Sequence, residues 1–552
     1  MYPEKQLAQL VLNACQQYKI DKVVISPGSR NAPLTIGFSN IEGIETFSIV
    51  DERCAAFFAL GIAQQTRKPV AIVCTSGSAL LNYYPAIAEA YYSRIPLLVI
   101  SADRPKHLID IGDGQTIRQE NVFKNHILYS ANLIEDENEL TFNTSEITKA
   151  ISTAIFKSGP VHINIPFSEP IYNTVDHLSE YNFERVSEKK ETTEVDLYKN
   201  LGETWNASEK KMILVGVNFP NVALQKILND YANDPSVLIL TESTSNLYNP
   251  KFIDSIDQLI TKLDDEEFKN LQPDILITLG GMVVSKRVKQ FLRKYQPKDH
   301  WHIDKQVKLD TYFCLSNHIK EASETFFNEL RAHIDVHELS NYQNTWVKEK
   351  ELRQEAHKEF VQKTSYSDFR VFKNILDALP DHSQVQVSNS AVIRYMQLYN
   401  VNSTLRVFCN RGTSGIDGST STAIGASLVE KENTTLITGD LSFFYDSNAL
   451  WNTHIPSNFR IIIINNSGGG IFKIIPGPKS TNALQYFETP HCLTAEHLAK
   501  MYGLEYQNAV SLDGVEQRLE DFYKKSERAK ILEIFTPSDQ NDTVLKAYFN
   551  NL

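Results

Sequence analysis

The feature that most constrains the fold is a recurring unit: a short run of β-branched or aliphatic residues, followed by a longer stretch with helical spacing. In the first third of the chain the runs are Lys22-Val-Val-Ile-Ser26, Thr46-Phe-Ser-Ile-Val50, Val70-Ala-Ile-Val-Cys-Thr75, Leu97-Leu-Val-Ile-Ser101 and Val161-His-Ile-Asn-Ile165. A second set follows: Met212-Ile-Leu-Val-Gly216, Val237-Leu-Ile-Leu240 and Asp274-Ile-Leu-Ile-Thr-Leu279. The third is Gln384-Val-Gln-Val-Ser388, Arg406-Val-Phe-Cys409, Thr435-Leu-Ile-Thr438, Arg460-Ile-Ile-Ile-Ile464 and Lys530-Ile-Leu-Glu-Ile534. Continuously apolar strands alternating with helices are the pattern of a parallel sheet covered on both faces. Between the sets lie two charged stretches, Ser187 to Glu194 and Lys348 to Lys363, read as solvated linker or surface helix. The reading is an α/β protein of three doubly wound parallel-sheet domains, at 1–185, 195–340 and 360–552. A chain of 552 residues is too long for one core, in keeping with that division.

Composition removes several classes of function. An apolar content of 42% with 22% charged residues is that of a globular protein and excludes disordered and collagen-like chains. The six cysteines form no C-x-x-C pair, which argues against a zinc site or a disulfide framework and fits a reducing cytoplasm. No basic segment followed by an apolar one opens the chain, and runs such as Ile461 to Ile464 are too short to span a bilayer. The expectation is a cytoplasmic protein without membrane insertion. A net charge of −12 gives no general attraction to nucleic acid, so any bound anion must meet locally concentrated Arg and Lys.

In open α/β sheets ligands bind beyond the carboxyl ends of the strands, so the post-strand loops carry the chemistry. One reads Thr438-Gly439-Asp440-Leu441-Ser442; the next strand ends Ile464-Asn465-Asn466-Ser467-Gly468-Gly469-Gly470. A carboxylate, an amide oxygen 26 residues later (466 − 440) and a glycine carbonyl make a set of hard oxygen ligands. Magnesium favours such a set, with phosphate oxygens and water completing its octahedron. Each segment alone is an ordinary turn. Both at strand ends, at this separation, point to a metal-bound diphosphate. Glu52, after the Thr46–Val50 run, opens a helix-like stretch, a place that also suits an ordinary first-turn glutamate.

These segments resemble the thiamine-diphosphate enzymes, whose motif is Gly-Asp followed some 25–30 residues later by Asn-Asn; the match is Gly439-Asp440 with Asn465-Asn466. The resemblance implies thiamine diphosphate with Mg²⁺ or Mn²⁺ held by Asp440, Asn466 and the Gly468 carbonyl. Gly439 and Ser442 would lie near the diphosphate, with Ser390 and Ile471 also at the cofactor and Ile416 as the wedge that makes its two rings meet. Glu52 would be the catalytic carboxylate at N1′ of the aminopyrimidine. Leu441 replaces a glycine found in many members, and Ser467 intervenes before Gly468; neither change removes a ligand.

A narrower resemblance is to the menaquinone-biosynthesis branch of that family. It rests on Ile25-Ser-Pro-Gly-Ser-Arg-Asn-Ala-Pro-Leu34, Thr75-Ser-Gly-Ser-Ala79, Ser101-Ala-Asp-Arg-Pro105 and Gly114-Gln115-Thr-Ile-Arg118. Further on it includes Ser285-Lys286-Arg287, Ser388-Asn-Ser390 with Arg394, and Asn410-Arg411-Gly412-Thr413-Ser414-Gly415-Ile416-Asp417-Gly418. It implies a decarboxylating transferase acting on 2-oxoglutarate and isochorismate. Both are dianions, for which planar Arg is the best ligand. Arg394 and Arg411, with Ser390, would face the 2-oxo acid. Ser29, Arg30, Arg104, Gln115, Lys286 and Arg287 would face isochorismate. The resemblance also implies a homodimer, or a dimer of dimers, with each site shared between the first domain of one chain and the third of its partner.

The first domain has no adjacent His-His pair of the kind simple decarboxylases of the superfamily use as proton relays, which favours carboligation. Three rival readings stay open on the residues alone. They are an acetolactate-type carboligase with flavin in the middle domain, a 2-oxo diacid decarboxylase with a nucleotide there, and a non-catalytic metabolite sensor. Arg-rich loops count against the first, and retention of Glu52 and Asp440 against the last.

Overall fold

The computed structural model describes residues 1–184, 196–475 and 477–552. Among them are three wholly parallel sheets, one in each third of the chain. The first has six strands in the order Glu45–Ser48, Lys22–Ile25, Val70–Cys74, Leu97–Asp103, Val161–Pro166 and Tyr129–Asn132. The third also has six: Arg406–Phe408, Gln384–Val387, Thr434–Gly439, Phe459–Asn465, Lys530–Phe535 and Glu505–Ala509. The middle sheet runs Val237–Leu240, Lys211–Val215, Ile275–Leu279, Asp299–Ile303 and Asn317–Ile319. Strand order reverses beside Lys22–Ile25, Lys211–Val215 and Gln384–Val387. Those are the points where loops diverge and leave a crevice.

Every apolar run singled out in the sequence overlaps a strand, because helices cover both faces of these sheets and the central strands are buried throughout. Strands the runs did not reveal lie at or next to sheet edges and carry polar residues: Tyr129–Asn132, Asp299–Ile303, Asn317–Ile319 and Glu505–Ala509. In Asp299–Ile303, His300 and His302 are buried because both rings meet Thr278 Oγ1 at 2.9 Å, so polarity there conceals an inner strand. The stretch Ser187 to Glu194 lies outside the described residues. Lys348 to Lys363 completes a helix, Tyr342–Lys363, with one face inward. Lys350 Nζ donates to Phe252 O at 2.6 Å, and His357 Nδ1 meets the Tyr548 hydroxyl at 2.8 Å. The helix therefore pins the middle domain to the third.

The first and third domains meet through two helices, Glu52–Thr66 and Ser419–Leu428, both rich in small or apolar residues and both buried along most of their length. Glycines allow the backbones to touch. A Cβ at Gly61 would stand 2.0 Å from Thr422 O, and one at Gly425 would stand 1.9 Å from Phe58 O. Phe57, Phe58, Ala59 and Ile62 share one apolar core with Ala423, Ile424, Leu436 and Phe443. Among the described residues no helix is long and apolar enough to cross a membrane.

Candidate active site

Two clefts open at the carboxyl end of the third sheet. The first, about 310 Å³, is lined only by third-domain residues, among them Asp368, Ser390, Ile416, Gly439, Asp440, Ser442, Asn466, Gly468 and Ile471. All the cofactor and metal positions expected from sequence, except Glu52, therefore line one cavity. Asp440 stands where the Thr434–Gly439 strand turns into a short helix. It is 2% exposed, and its carboxylate accepts from Leu441 N at 2.6 Å and Gly468 N at 2.9 Å. Asn466 Nδ2 donates to Asp368 Oδ2 at 2.8 Å, while Asn466 Oδ1 is buried and has no partner among the described residues. Burial pushes both Asp440 and Asp368 up to about 6, since the charged form loses its water. Gly468 has φ +147°, and a Cβ there would meet Glu488 O at 2.6 Å, so only glycine fits this turn.

A hard cation fits this donor set. An orphaned amide oxygen beside a carboxylate starved of solvation is the arrangement that a divalent ion satisfies. Ser442 Oγ donates to Ile416 O at 2.8 Å, fixing the backbone that aims Ile416 at the cleft. Ile416 itself is 37% exposed, an unusual position for an isoleucine inside its own chain.

The second cleft, about 320 Å³, lies between the middle and third domains and shares Ala391, Tyr395 and Ile471 with the first. Lys286, Arg287 and Arg394 all line it. Arg394 NH1 donates to Ser390 O at 2.5 Å, and Arg287 stacks on the Phe549 ring, 4.6 Å from its centroid. Lys286 and Arg287 open the Lys286–Lys294 helix, and the turn before it is held from below by Glu242. This buried carboxylate accepts from Val284 N at 2.7 Å and Ser285 N at 2.8 Å, and burial raises it to about 7. Asp257 accepts from the Ser285 hydroxyl and lies close enough to Arg287 and Arg394 to feel both charges.

Arg411 is placed differently. It is buried, donates from NH1 to Asn389 Oδ1 at 2.7 Å, and borders a larger cavity of about 550 Å³ at the end of the middle sheet. It remains near enough to Arg394 that burial and this like charge together lower the Arg394 guanidinium from its usual range.

The first-domain candidates line neither cleft. Glu52 begins the Glu52–Thr66 helix, capped by Asp51, and accepts from Asn82 Nδ2 at 3.2 Å. Arg30 is buried, donating to Phe167 O at 2.9 Å and pairing with Glu169 at 2.9 Å. Ser29 and Gln115 are exposed, and Arg104 lies 4.0 Å from Asp113. Sequence reasoning missed Asp368, Glu242, Asp257, Asn389 and Glu89. None sits in a recognisable motif except Asn389, whose neighbours in Ser388-Asn-Ser390 were the available signal.

Comparison with known proteins fits this geometry. The family model described as thiamine pyrophosphate enzyme, N-terminal TPP binding domain, matches residues 5–127, and the one described as middle domain of thiamine pyrophosphate matches residues 186–387. A 2-succinyl-5-enolpyruvyl-6-hydroxy-3-cyclohexene-1-carboxylate synthase from Flavobacterium johnsoniae is 53% identical over 100% of both chains. The chain belongs to that synthase family. Other 2-succinyl-5-enolpyruvyl-6-hydroxy-3-cyclohexene-1-carboxylate synthases include those of Christiangramia forsetii, 51% identical over 100% of this chain and 99% of its own, and Porphyromonas gingivalis, 37% identical over 99% and 97%. Like the rest of the synthase family it is a thiamine-diphosphate-dependent enzyme, a transferase.

Proposed function

We propose that the chain joins the decarboxylated remnant of 2-oxoglutarate to isochorismate by 1,4-addition, in the cytoplasm, as a step of menaquinone biosynthesis. The observation that carries this reading is the pair of adjoining clefts: one offers oxygen ligands for a metal diphosphate, and the other converges Lys286, Arg287 and Arg394 beside it. Lys286, Arg287 and Arg394 outnumber the two carboxylates of the same cleft, Glu242 and Asp257, which leaves a site suited to anionic ligands in a protein of net charge −12.

Asp440, Asn466 Oδ1 and the Gly468 carbonyl would hold Mg²⁺ or Mn²⁺, with Gly439 and Ser442 against the diphosphate. Bound thiamine diphosphate supplies the electron sink for loss of CO₂. Glu52 would hydrogen-bond N1′ of the aminopyrimidine. Arg394 and Arg411, with Ser390, bind the carboxylates of the 2-oxo acid. Lys286 and Arg287 bind isochorismate from the middle domain, and Ser29, Arg30, Arg104 and Gln115 complete that pocket from a first domain. Apolar walls from Ile416, Ile471 and Phe472 exclude water, which would otherwise protonate the transferred fragment.

The first domain that completes each site belongs to a second copy of the chain, in a homodimer or a dimer of dimers. Glu52, Ser29, Arg30, Arg104 and Gln115 all lie outside the clefts of their own chain, which supports that arrangement. On this reading 1–185 is the pyrimidine-binding domain, 195–340 the central domain and 360–552 the diphosphate-binding domain.

The deciding assay combines the protein with thiamine diphosphate, Mg²⁺, 2-oxoglutarate and isochorismate, and follows the product by mass. The 2-succinyl-5-enolpyruvyl-6-hydroxy-3-cyclohexene-1-carboxylate product is expected. Turnover of pyruvate in preference to 2-oxoglutarate would overturn the reading. Reassembling Glu52→Gln and Asp440→Ala chains together tests the shared site, because half the dimers are then mixed and each mixed dimer holds one intact site. Activity should recover to about a quarter of wild type by that counting. No recovery despite subunit exchange would place both residues in one chain's site.

A further inference from the structure

The loop that carries Arg411 is gripped from two sides. From its own domain, Asn389 Nδ2 donates to Asn410 O at 2.6 Å and Gly415 O at 2.8 Å, while Asn389 Oδ1 accepts from Arg411. The other grip comes from the first domain. Glu89, on the Tyr84–Ser93 helix, is 1% exposed, and its carboxylate is filled by four donors. Oε1 accepts from Gly412 N at 2.7 Å and Ser93 Oγ at 2.6 Å; Oε2 accepts from Thr413 N at 2.6 Å and Thr413 Oγ1 at 2.8 Å. Among the described residues Glu89 has no ion pair, so these donors alone answer its charge. Two consecutive N–H groups aimed at one carboxylate fix the peptide planes of Gly412 and Thr413, and with them the direction in which Arg411 leaves the loop. The packing is equally tight. A Cβ at Gly412 would lie 2.6 Å from Glu89 O and 2.8 Å from Ser93 Oγ, so the loop rests directly on the helix.

We infer that Glu89 is a positioning residue for Arg411: a first-domain carboxylate that sets the pose of a third-domain cation. The inference rests on the reading that Arg411 binds a carboxylate of the 2-oxo acid. It gives the first domain a second task. Glu52, Arg30 and Arg104 do not line the clefts of their own chain, whereas Glu89 braces the Arg411 loop of its own chain. The seating of the first domain on the third is thereby coupled to the grip on the donor substrate.

Glu89→Gln keeps the size and one acceptor, but turns an amide N–H₂ toward an N–H donor. It should raise KM for 2-oxoglutarate by between tenfold and a hundredfold, the scale of a misplaced binding group, while KM for isochorismate and cofactor affinity stay near wild type. The decisive arm is a cycle with Arg411→Ala. If Glu89 acts through Arg411, then Glu89→Gln adds nothing further to KM in the Arg411→Ala background. Thr413→Val, which removes one of the four donors and leaves the backbone alone, should raise the same KM severalfold. It carries the test if Glu89→Gln fails to fold. An unchanged KM in the folded variants, or an effect that adds fully to that of Arg411→Ala, overturns the inference. An Arg411→Ala enzyme with unaltered KM for 2-oxoglutarate instead sinks the reading of Arg411 beneath it.

Discussion

Replacing Gly425 by alanine sets two physical effects against each other. In an isolated helix the change is favourable, by about 1 kcal/mol, because alanine gives up less backbone freedom on folding. In this molecule the new Cβ would stand 1.9 Å from Phe58 O. An ordinary carbon–oxygen contact is about 3.3 Å, so the helices must separate by roughly 1.4 Å. Both atoms belong to helical backbone, and no rotamer change relieves the clash. Separation loosens the packing of Phe57, Phe58 and Ile62 against Ala423 and Ile424 in the shared core. Overpacking commonly costs about 1–3 kcal/mol, and the lost dispersion contacts add to it. The expected net result is destabilisation of about 2–4 kcal/mol. Urea unfolding followed by circular dichroism reads this as a lower midpoint. Gly514→Ala provides the control, since its Cβ would meet only the Ser511 hydroxyl at 3.2 Å and Ala509 at 3.7 Å; there the midpoint should hold or rise. A Gly425→Ala midpoint at or above wild type would refute the argument that close backbone approach dictates this glycine.

Three further outcomes are expected. Asp440→Ala should abolish the rise in melting temperature that thiamine diphosphate with Mg²⁺ gives the wild type, a stabilisation of about 2.7 kcal/mol at a hundredfold excess over Kd; equal rises would dismiss Asp440 as a ligand. Arg394→Ala should raise KM for 2-oxoglutarate by roughly tenfold or more while cofactor affinity changes little, measured by steady-state kinetics and titration. Burial raises the Glu242 carboxyl to about 7 in the folded chain, so between the ordinary glutamate range and that value the unfolded chain ionises first and stability falls as pH rises. Glu242→Gln removes that dependence: wild type should lose up to about 3 kcal/mol relative to the variant between pH 5 and 8, and parallel stability profiles would contradict it.

The apolar runs exposed the central strands because those strands are buried on both faces, so that even their few polar residues, such as His162, Asn164 and Gln386, stand between aliphatic neighbours. The edge strand Glu505–Ala509 escaped because solvent satisfies its polar groups, and the inner, histidine-bearing Asp299–Ile303 because a private hydrogen bond does. The metal-type cleft was legible because Gly439-Asp440 and Asn465-Asn466 end neighbouring strands, which sequence spacing can reveal. Glu52 stood out only through family resemblance, since an opening glutamate is ordinary in any helix. Asp368, Glu89 and Glu242 were invisible because their work is long-range. Asp368 acts on Asn466 across 98 positions, and Glu89 on Gly412 across 323, so no local pattern ties either carboxylate to its partner.

The two crossing helices are counterparts. Each follows the second strand of a six-stranded sheet with the same spatial order, and each glycine faces the carbonyl three residues ahead of the other, Thr422 before Gly425 and Phe58 before Gly61. Half a turn about an axis through that contact exchanges one helix for the other. Such a reciprocal interface is the kind by which identical subunits pair. The polypeptide thus carries a dimer-like interface between two of its own domains, with the loop before one helix ending at Glu52 and the loop before the other carrying Arg411. Neither helix can shift alone: any side chain gained at one glycine intrudes on the main chain of its counterpart.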